Sequence, residues 1–264
     1  MLSRARAALG RVPPPRFAVE TAALGDGPVG KLRLLLLSQL GAAKWPTGRH
    51  VRVDLSVLGH SCSFWLIDYS QLHVLREVFL DEDYRVEHLP ENPTIVDLGS
   101  NLGASVIYFR LRYPGSRVIA VEPDPEVFAT LRRNVAPFGG VQLVNVAVAG
   151  TNGEATFHRY PDSWVSSLVQ RWPAADRLYV HTRTLDTLFD DFSLSAVDLL
   201  KIDIEGGEWD VLPGFRRLEN VRNVIGEVHQ INDEEPERLL DHLSDFRVSV
   251  TLSSGRILRF VATR

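Results

Sequence analysis

From residue 94 onward, apolar strand patterns alternate with helical patterns, and this alternation constrains the fold more than any other feature. The strand patterns are TIVDLG, RVIAVEP and VQLVNVAV, and the segments between them, ASVIYFRLRY and PEVFATLRRNV, carry apolar residues at helical spacing. Strands that alternate with helices pair in parallel, with helices on both faces. The closing segment, RVSVTLSSGRILRFVATR, predicts two strands around Ser253–Gly255, one of them antiparallel. We therefore expect an α/β fold with a mostly parallel sheet.

Residues 1–90 follow a different pattern. Residues 1–50 predict helical or irregular structure, VRVDLSVLG and SFWLID predict a β-hairpin, and QLHVLREVFL predicts a helix. We therefore expect two parts, an N-terminal extension over residues 1–90 packed on a core domain over residues 91–264.

Composition argues against several classes of protein. The 264 residues carry a net charge of −4, which gives no electrostatic case for binding nucleic acid, since phosphate backbones usually require a basic face. No apolar run approaches the roughly 20 residues that span a bilayer. The lone Cys62 fits a reducing compartment, and the basic start, MLSRARAALGRVPPPR, is interpreted as a frayed tail in preference to a targeting peptide. We expect a cytoplasmic protein with neither a nucleic-acid partner nor a transmembrane segment.

A glycine-rich turn follows the first strand of the alternating region. The segment VDLGSNLGAS contains Asp97, Gly99, Asn101 and Gly103, and Glu122 ends the next strand. Glycines permit a sharp turn and a close approach to a ligand, and an acid at the second strand end accepts both hydroxyls of a ribose. A ribose-bearing cofactor is therefore favoured. The alternative is that Glu122 only caps the next helix.

A nicotinamide cofactor is the less favoured choice. A short-chain dehydrogenase would carry Tyr-x-x-x-Lys, and the three lysines of this chain follow Gly27, Leu40 and Val197 at that spacing.

Charged residues alternate with apolar residues in two later strand patterns. Lys201, Asp203 and Glu205 occupy every second position of LLKIDIEG and would share one face of a strand. Buried charges are costly unless they are paired or used. Glu227 and His229 repeat the pattern in VIGEVH, near the end of the next strand. Because both strand ends would open into one cleft, we expect these five side chains to meet there.

Taken together, these motifs resemble the FkbM-type S-adenosylmethionine-dependent methyltransferases. The resemblance runs from about Pro93 to His229 and includes VDLGSNLGAS, VIAVEPDPEVFATLRRNV, NVAVAGTNGEATF, SSL, TRTLDTL, DLLKIDIEGGEWDVLPG and IGEVH, in this order. It implies a Rossmann-like class I methyltransferase fold, whose seven-stranded sheet has an antiparallel last strand. It also implies O-methylation of a small molecule, sugar or glycolipid.

The resemblance implies ten positions that would bind S-adenosylmethionine. Five would hold the methionine end, the next three would hold or flank the ribose, and the last two would flank the adenine. In that order they are Asp97, Gly99, Ser100, Asn101, Gly103, Glu122, Pro123, Asp124, Asn145 and Ala147.

A base that deprotonates an alcohol accelerates its methylation, and His229 is the first candidate because an imidazole titrates near neutrality. Glu205 or Asp203 would orient it or bind the acceptor, and Lys201 would pair with a carboxylate. The alternative is a buried ion network that only stabilises the sheet.

Weaker candidates for contact with the acceptor are Ser166, Ser167 and Glu227, although a turn explains the serines equally well. Tyr84 could reach the cofactor. Mg²⁺ is a less favoured alternative: carboxylates at two strand ends suit it, but no distinct Asp-Asp-Asn set is present. The other histidines lack the spacing of a zinc site, so no metal ligands are assigned.

Two other functions compete with O-methylation. One is N-methylation of a small amine, which the absence of a D/N-P-P-Y/F signature makes less favoured. The other is a cofactor-binding protein without activity. A homo-oligomer is a further expectation.

Overall fold

The computed structural model describes residues 15–41, 45, 49–172, 176–253 and 256–264. The expected tail, and Ser254 and Gly255 of the expected closing turn, lie outside these ranges. The described chain divides into two compact units. The first comprises the residues up to Asp83 together with Pro161–Trp164, and the second comprises Tyr84–Tyr160 and Val165–Arg264. The division therefore falls seven residues before the expected boundary at residue 90, and the first unit includes a short later segment.

The first unit contains three helices and the predicted hairpin. Strands β1 (Val51–Val57) and β2 (His60–Leu66) pair antiparallel, and Leu58 and Gly59 between them both have positive φ, as in the turns that favour tight hairpins. The helices are α1 (Pro15–Ala23), α2 (Gly27–Leu40) and α3 (Gln71–Phe79). Among the described residues of the whole chain, none of the helices combines the length and the hydropathy that a bilayer crossing needs.

The second unit is built on a seven-stranded sheet with the order β11-β12-β10-β9-β3-β4-β5. In this sheet β12 runs antiparallel to the other six strands, which all run in one direction. This confirms the predicted α/β fold with an antiparallel last strand. The strands are β3 (Thr94–Leu98), β4 (Arg117–Val121), β5 (Val141–Val144), β9 (Leu199–Ile202), β10 (Asn223–His229), β11 (Arg247–Ser253) and β12 (Ile257–Thr263).

The apolar strand patterns place β3, β4 and β9 in the middle of this sheet, where nearly all their residues are buried. The helices of the unit are α4 (Ala104–Arg112), α5 (Pro125–Val135), α6 (Leu185–Asp191) and the single turn α7 (Glu208–Val211). A 3₁₀ helix spans Pro236–Leu243, and shorter 3₁₀ turns are Ser163–Val165 and Leu218–Asn220.

The structure corrects one predicted strand. VQLVNVAV does not run as a single element, because the Asn145 amide donates to the carbonyl groups of Glu122 and Pro123 and turns the chain after β5. The following β6 (Ala147–Val148) belongs to a separate three-stranded sheet of order β6-β8-β7. Its other strands are β7 (Gly153–Arg159) and β8 (Asp176–Arg183).

Candidate active site

The glycine turn after β3 is tightly closed. The N–H groups of Gly99 and Ser100 both donate to the carbonyl of Val121, at 3.1 and 2.9 Å. Gly99 has φ 75°, and a Cβ at this position would lie 1.9 Å from the carbonyl oxygen of Asp203, so no larger residue fits. Asn101 follows with φ 47°, as its tolerance of the left-handed region predicts. The turn therefore packs directly against the end of β9.

Glu122, at the end of β4, is buried beside this turn. One carboxylate oxygen accepts the N–H of Asn101 at 3.0 Å, and the other accepts the N–H of Asp124 at 2.9 Å. Burial raises the pKa of Glu122 to about 8, although these two N–H groups favour the charged form. The cap of α5 is Asp124, which accepts the N–H groups of Glu126 and Val127. The alternative that Glu122 only caps this helix is therefore wrong.

Several predicted cofactor ligands have side chains that are engaged within the fold. Asp124 caps α5 and also forms a two-nitrogen ion pair with Arg159, at 2.6 and 2.7 Å. The Asn145 amide holds the turn after β5, and the Ser100 hydroxyl donates to the carbonyl of Asp97. Ala147 packs in the hydrophobic cluster of the three-stranded sheet. These contacts occupy the carboxylate of Asp124, the amide nitrogen of Asn145 and the hydroxyl proton of Ser100, so a role of these residues in cofactor binding stays a prediction that depends mainly on their backbone groups.

Lys201 is buried in the middle of the sheet and pairs with Asp97. Its Nζ lies 3.0 Å from Asp97 Oδ1 and donates to the carbonyl groups of Leu98 and Gly99, at 3.1 and 3.0 Å. Asp97 Oδ2 accepts the hydroxyl of Ser105 at 2.6 Å. Burial alone would lower the pKa of Lys201, but attraction to Asp97, Asp203 and Glu227 together outweighs it and the net shift is upward. Lys201 therefore holds the glycine turn to β9, which corrects its assignment as a catalytic residue.

The three alternating charges do not lie on one strand face, because β9 ends at Ile202. Asp203 and Glu205 belong to the turn that follows, and Glu205 has φ 56°. The hydroxyl of Ser167 donates to the carbonyl of Glu205 at 2.7 Å and fixes this turn. The hydroxyl of Ser166 accepts the N–H of Tyr160. The expectation that these serines contact the acceptor is therefore corrected: both organise the backbone.

Glu208, which the sequence analysis did not select, is the centre of the same turn. Its two oxygens accept the N–H groups of Ile204 and Gly206, each at 2.9 Å, and the residue is fully buried. An acid that follows two glycines at the first position of a helix was a signal for this role. Because both oxygens accept backbone N–H groups, Glu208 fixes the backbone of this turn.

His229, at the end of β10, is surrounded by carboxylates. Its Nδ1 lies 3.3 Å from Glu208 Oε1, and its Nε2 lies 3.4 Å from Glu205 Oε2 and 3.6 Å from Glu227 Oε2. Of these contacts, Nδ1 with Glu208 is a hydrogen bond, and its direction depends on the protonation state of the ring. Burial alone would lower the pKa of His229, but attraction to Glu205 and Glu208 raises it to about 10. These surroundings favour an imidazolium over the neutral imidazole that a base would need.

Two arginines that the sequence analysis also missed complete the charge balance. Arg171 Nη1 lies 2.7 Å from Glu205 Oε2, and Arg259 donates from two nitrogens to Glu227 Oε1, at 2.9 and 2.5 Å. Burial raises the pKa of Glu205 to about 7, against the opposite effects of His229 and Arg171. Burial also raises the pKa of Glu227. Both arginines come from segments without a motif, so no pattern marked them.

Tyr84 contacts an acid of the site. Its hydroxyl donates to Asp203 Oδ2 at 2.7 Å, and Lys201 Nζ lies 5.0 Å from the centre of its ring. Burial and the nearby acids raise the pKa of Tyr84 far above its ordinary value, so it remains a donor. Burial alone would raise the pKa of Asp203, but attraction to Lys201 and His229 lowers it overall. Asp203 is therefore a stabilised anion.

Asp203, Glu205 and His229 form the one group of potential metal ligands found among the described residues, with donor atoms within 4.8 Å of one another. The set fits Mg²⁺ poorly, because that ion prefers oxygen ligands and a metal ligand must be deprotonated. Each ring nitrogen of His229 lies within 3.4 Å of a carboxylate oxygen, and an imidazolium has no lone pair to offer a metal. The positive charge in this group comes from the imidazolium and from Arg171.

Comparison with known proteins identifies relatives of the second unit. The sequence model of the methyltransferase FkbM domain matches residues 97–248. The chain is 30% identical to the 2-O-methyltransferase NoeI of Sinorhizobium fredii over 47% of this chain and 57% of that protein. It is 24% identical to the hexuronic acid methyltransferase AglP of Haloferax volcanii over 85% of this chain and 91% of that protein. Among solved structures, methyltransferase FkbM from Methylobacillus flagellatus is similar at 14% identity and a TM-score of 0.48, over 95% of this chain and 58% of that one.

Proposed function

We propose that this chain, which belongs to the family of FkbM methyltransferase domains, transfers a methyl group from S-adenosylmethionine to a hydroxyl of a sugar or another small molecule. The chain is a methyltransferase by family, and its seven-stranded sheet with an antiparallel last strand is the class I methyltransferase fold. The proposal concerns the cofactor, the kind of acceptor and the residues that serve each.

The buried carboxylate of Glu122 beside the glycine turn is the observation that carries the cofactor assignment. An acid at the end of the second strand of such a sheet is suited to accept the hydroxyls of a ribose. The turn at Gly99 brings backbone groups close to the same place, where they would hold the methionine end, and Lys201 keeps this turn in position through Asp97. When bound, S-adenosylmethionine supplies an electrophilic methyl group on a sulfonium sulfur.

The acidic turn after β9 supports a hydroxyl acceptor. Asp203, Glu205 and Glu227 are only partly buried, whereas their cationic partners Lys201 and His229 are almost fully buried. Partly exposed carboxylates would accept hydrogen bonds from the hydroxyls of a sugar and would orient one of them toward the cofactor. The names of NoeI and AglP, one for 2-O-methylation and the other for a hexuronic acid, support the same class of acceptor.

Calorimetric titration of the protein with S-adenosylmethionine and with NAD tests the cofactor. We expect micromolar binding of S-adenosylmethionine alone, and failure to bind it would refute the proposal.

Transfer of tritium from methyl-labelled S-adenosylmethionine tests the acceptor. The probes are p-nitrophenyl β-D-glucuronide, p-nitrophenyl β-D-glucoside and benzylamine. Label on a glycoside supports O-methylation, and label on benzylamine alone would indicate N-methylation. Binding without transfer to any probe would favour a cofactor-binding protein without activity.

A further inference from the structure

The acidic turn contains four carboxylates and one imidazole, and their contacts differ enough to separate their roles. His229 is enclosed by carboxylates, with Nδ1 3.3 Å from Glu208 Oε1 and Nε2 3.4 Å from Glu205 Oε2, and this setting favours an imidazolium, which has no lone pair for a further proton. A base that serves the acceptor must therefore be one of the carboxylates.

Two of the four carboxylates are held by the fold. Glu208 accepts backbone N–H groups with both oxygens, and its side chain is 1% exposed. Glu227 is held through Oε1 by two nitrogens of Arg259, and its Oε2 lies 3.6 Å from His229 Nε2. Both carboxylates are therefore less suited than the other two to take a proton, Glu208 because both oxygens are occupied and Glu227 because it lies between two cationic side chains.

The other two are Asp203 and Glu205, and they differ in basicity. Asp203 accepts the hydroxyl of Tyr84, and attraction to Lys201 and His229 lowers its pKa, so it is a weak base. Glu205 uses Oε2 for Arg171 and His229, while Oε1 receives no hydrogen bond from the described part of the chain. Its side chain is 16% exposed, and burial raises its pKa to about 7, where a base is most effective at neutral pH.

We propose that Glu205 Oε1 accepts the proton of the acceptor hydroxyl and that His229, as an imidazolium, is the positioning residue that holds the Glu205 carboxylate. The inference rests on the proposed function. In this step the O–H bond of the acceptor breaks, the proton passes to Glu205, and the electron pair stays on the acceptor oxygen, which becomes the nucleophile. The carboxylic acid later releases the proton to water.

His229 has a specific part in this arrangement. Its positive charge lies between Glu205, Glu208 and Glu227, three carboxylates that would otherwise repel one another. Because Glu208 also fixes the backbone of the turn, the imidazolium connects the base to the most rigid point of the site. Loss of the ring would release Glu205 and would raise the pKa of its carboxyl group.

The groups that face Glu205 determine the pH dependence of the step. They are Arg171 from the segment before β8, His229 from β10, and Asp203 and Glu208 from the turn itself. Turnover requires an ionised Glu205, so it rises as pH increases through about 7. It requires a charged His229, so it falls as pH increases through about 10. Replacement of His229 by Asn would shift the lower limb toward higher pH.

The first test needs no acceptor. Protein with ¹⁵N-labelled histidine is examined by NMR, with His229→Asn to assign the ring, and the carboxyl carbon of Glu205 is titrated with ¹³C-labelled glutamate, assigned from Glu205→Gln. We expect a doubly protonated His229 at pH 7.5 and a Glu205 midpoint near pH 7. A singly protonated ring, or a Glu205 midpoint below about 5, close to the ordinary pKa of glutamate, would overturn the inference.

The second test uses whichever p-nitrophenyl glycoside accepts label in the screen above. Glu205→Gln should lower kcat at least about 100-fold and leave the affinity for S-adenosylmethionine unchanged, in line with the loss of a general base. Glu205→Asp should retain part of the activity, and its melting curve shows whether the turn still folds. Glu234→Gln, an exposed glutamate paired with Arg238, is the matched control and should behave as the parent protein. Undiminished kcat in Glu205→Gln would overturn the inference.

Failure of the proposed function gives a different result. If S-adenosylmethionine does not bind, the methyltransferase assignment to this cofactor is wrong, whatever the titration of Glu205. If it binds and His229 is singly protonated, the assignment of the cofactor stands and that of the base does not.

Discussion

Replacement of Lys201 by Met should destabilise the second unit strongly, because it breaks a buried ion pair and leaves one partner behind. Lys201 and Asp97 have side chains that are 2% and 0% exposed, and without the ammonium group the Asp97 carboxylate retains only the hydroxyl of Ser105. The carbonyl groups of Leu98 and Gly99 lose a donor as well. Removal of one partner of a buried pair typically costs about 3–5 kcal/mol.

Urea unfolding at pH 7.5 measures this loss, since the ammonium group of Lys201, whose pKa is raised, is fully charged at that pH. With an m-value of about 2 kcal/mol/M, the unfolding midpoint should fall by about 1.5–2.5 M. Lys31→Met, at an exposed lysine of α2, is the matched control and should change the free energy of unfolding by less than about 0.5 kcal/mol.

A second substitution separates the lost charge pair from the lost packing. Asp97→Asn in the Lys201→Met background removes the unpaired charge, so it should recover part of the stability. A Lys201→Met midpoint within about 0.5 M of the parent, equivalent to about 1 kcal/mol, would refute the reasoning. A double variant that is less stable than Lys201→Met would equally contradict a cost that comes from the unpaired carboxylate.

Three further outcomes follow from the geometry of the site. Glu122→Gln should weaken S-adenosylmethionine binding about 2–10-fold, because it replaces an oxygen that would accept a ribose hydroxyl and a hydrogen bond contributes about 0.5–1.5 kcal/mol; calorimetry measures this, with the exposed Glu126→Gln as an unchanged control. Gly99→Ala should abolish folding of the second unit, because the added Cβ would lie 1.9 Å from the carbonyl oxygen of Asp203. Gly59 has a similar φ but no atom within 4 Å of an added Cβ, so Gly59→Ala is the control and should lower the free energy of unfolding by only about 1–2 kcal/mol. Thermal unfolding measures both variants. Methyl transfer should be insensitive to EDTA, because each ring nitrogen of His229 lies within 3.4 Å of a carboxylate oxygen and an imidazolium has no lone pair to offer a metal; activity that is lost with EDTA and restored by Mg²⁺ would contradict this.

The fold of the second unit was largely predictable because its strands are short apolar runs separated by helical patterns and glycine turns. The order of the central strands and the antiparallel β12 follow from such patterns. The three-stranded sheet was not predicted, because β7 and β8 leave many of their residues exposed and β7 shows no regular alternation of buried and exposed positions. The break after β5 depends on one amide, that of Asn145, and no period in the sequence marks it.

The candidate site shows a similar limit. Asp97, Glu122 and Lys201 could be selected because each stands at the end of an apolar strand, where a charge is conspicuous. The protonation state of His229 could not be predicted, since it depends on the distances to three carboxylates that come from two segments. Glu208 was overlooked because an acid near the start of a helix is common.

The contact between the glycine turn and the acidic turn has a thermodynamic consequence. Gly99 lies against the carbonyl of Asp203, and Lys201 donates to the carbonyl groups of Leu98 and Gly99 from the strand that leads into the acidic turn. A ligand that orders one turn therefore lowers the entropic cost of ordering the other. Cofactor and acceptor would then bind cooperatively, and by linkage each would raise the affinity for the other by the same factor. Lys201 would then set the size of the coupling between cofactor binding and acceptor binding.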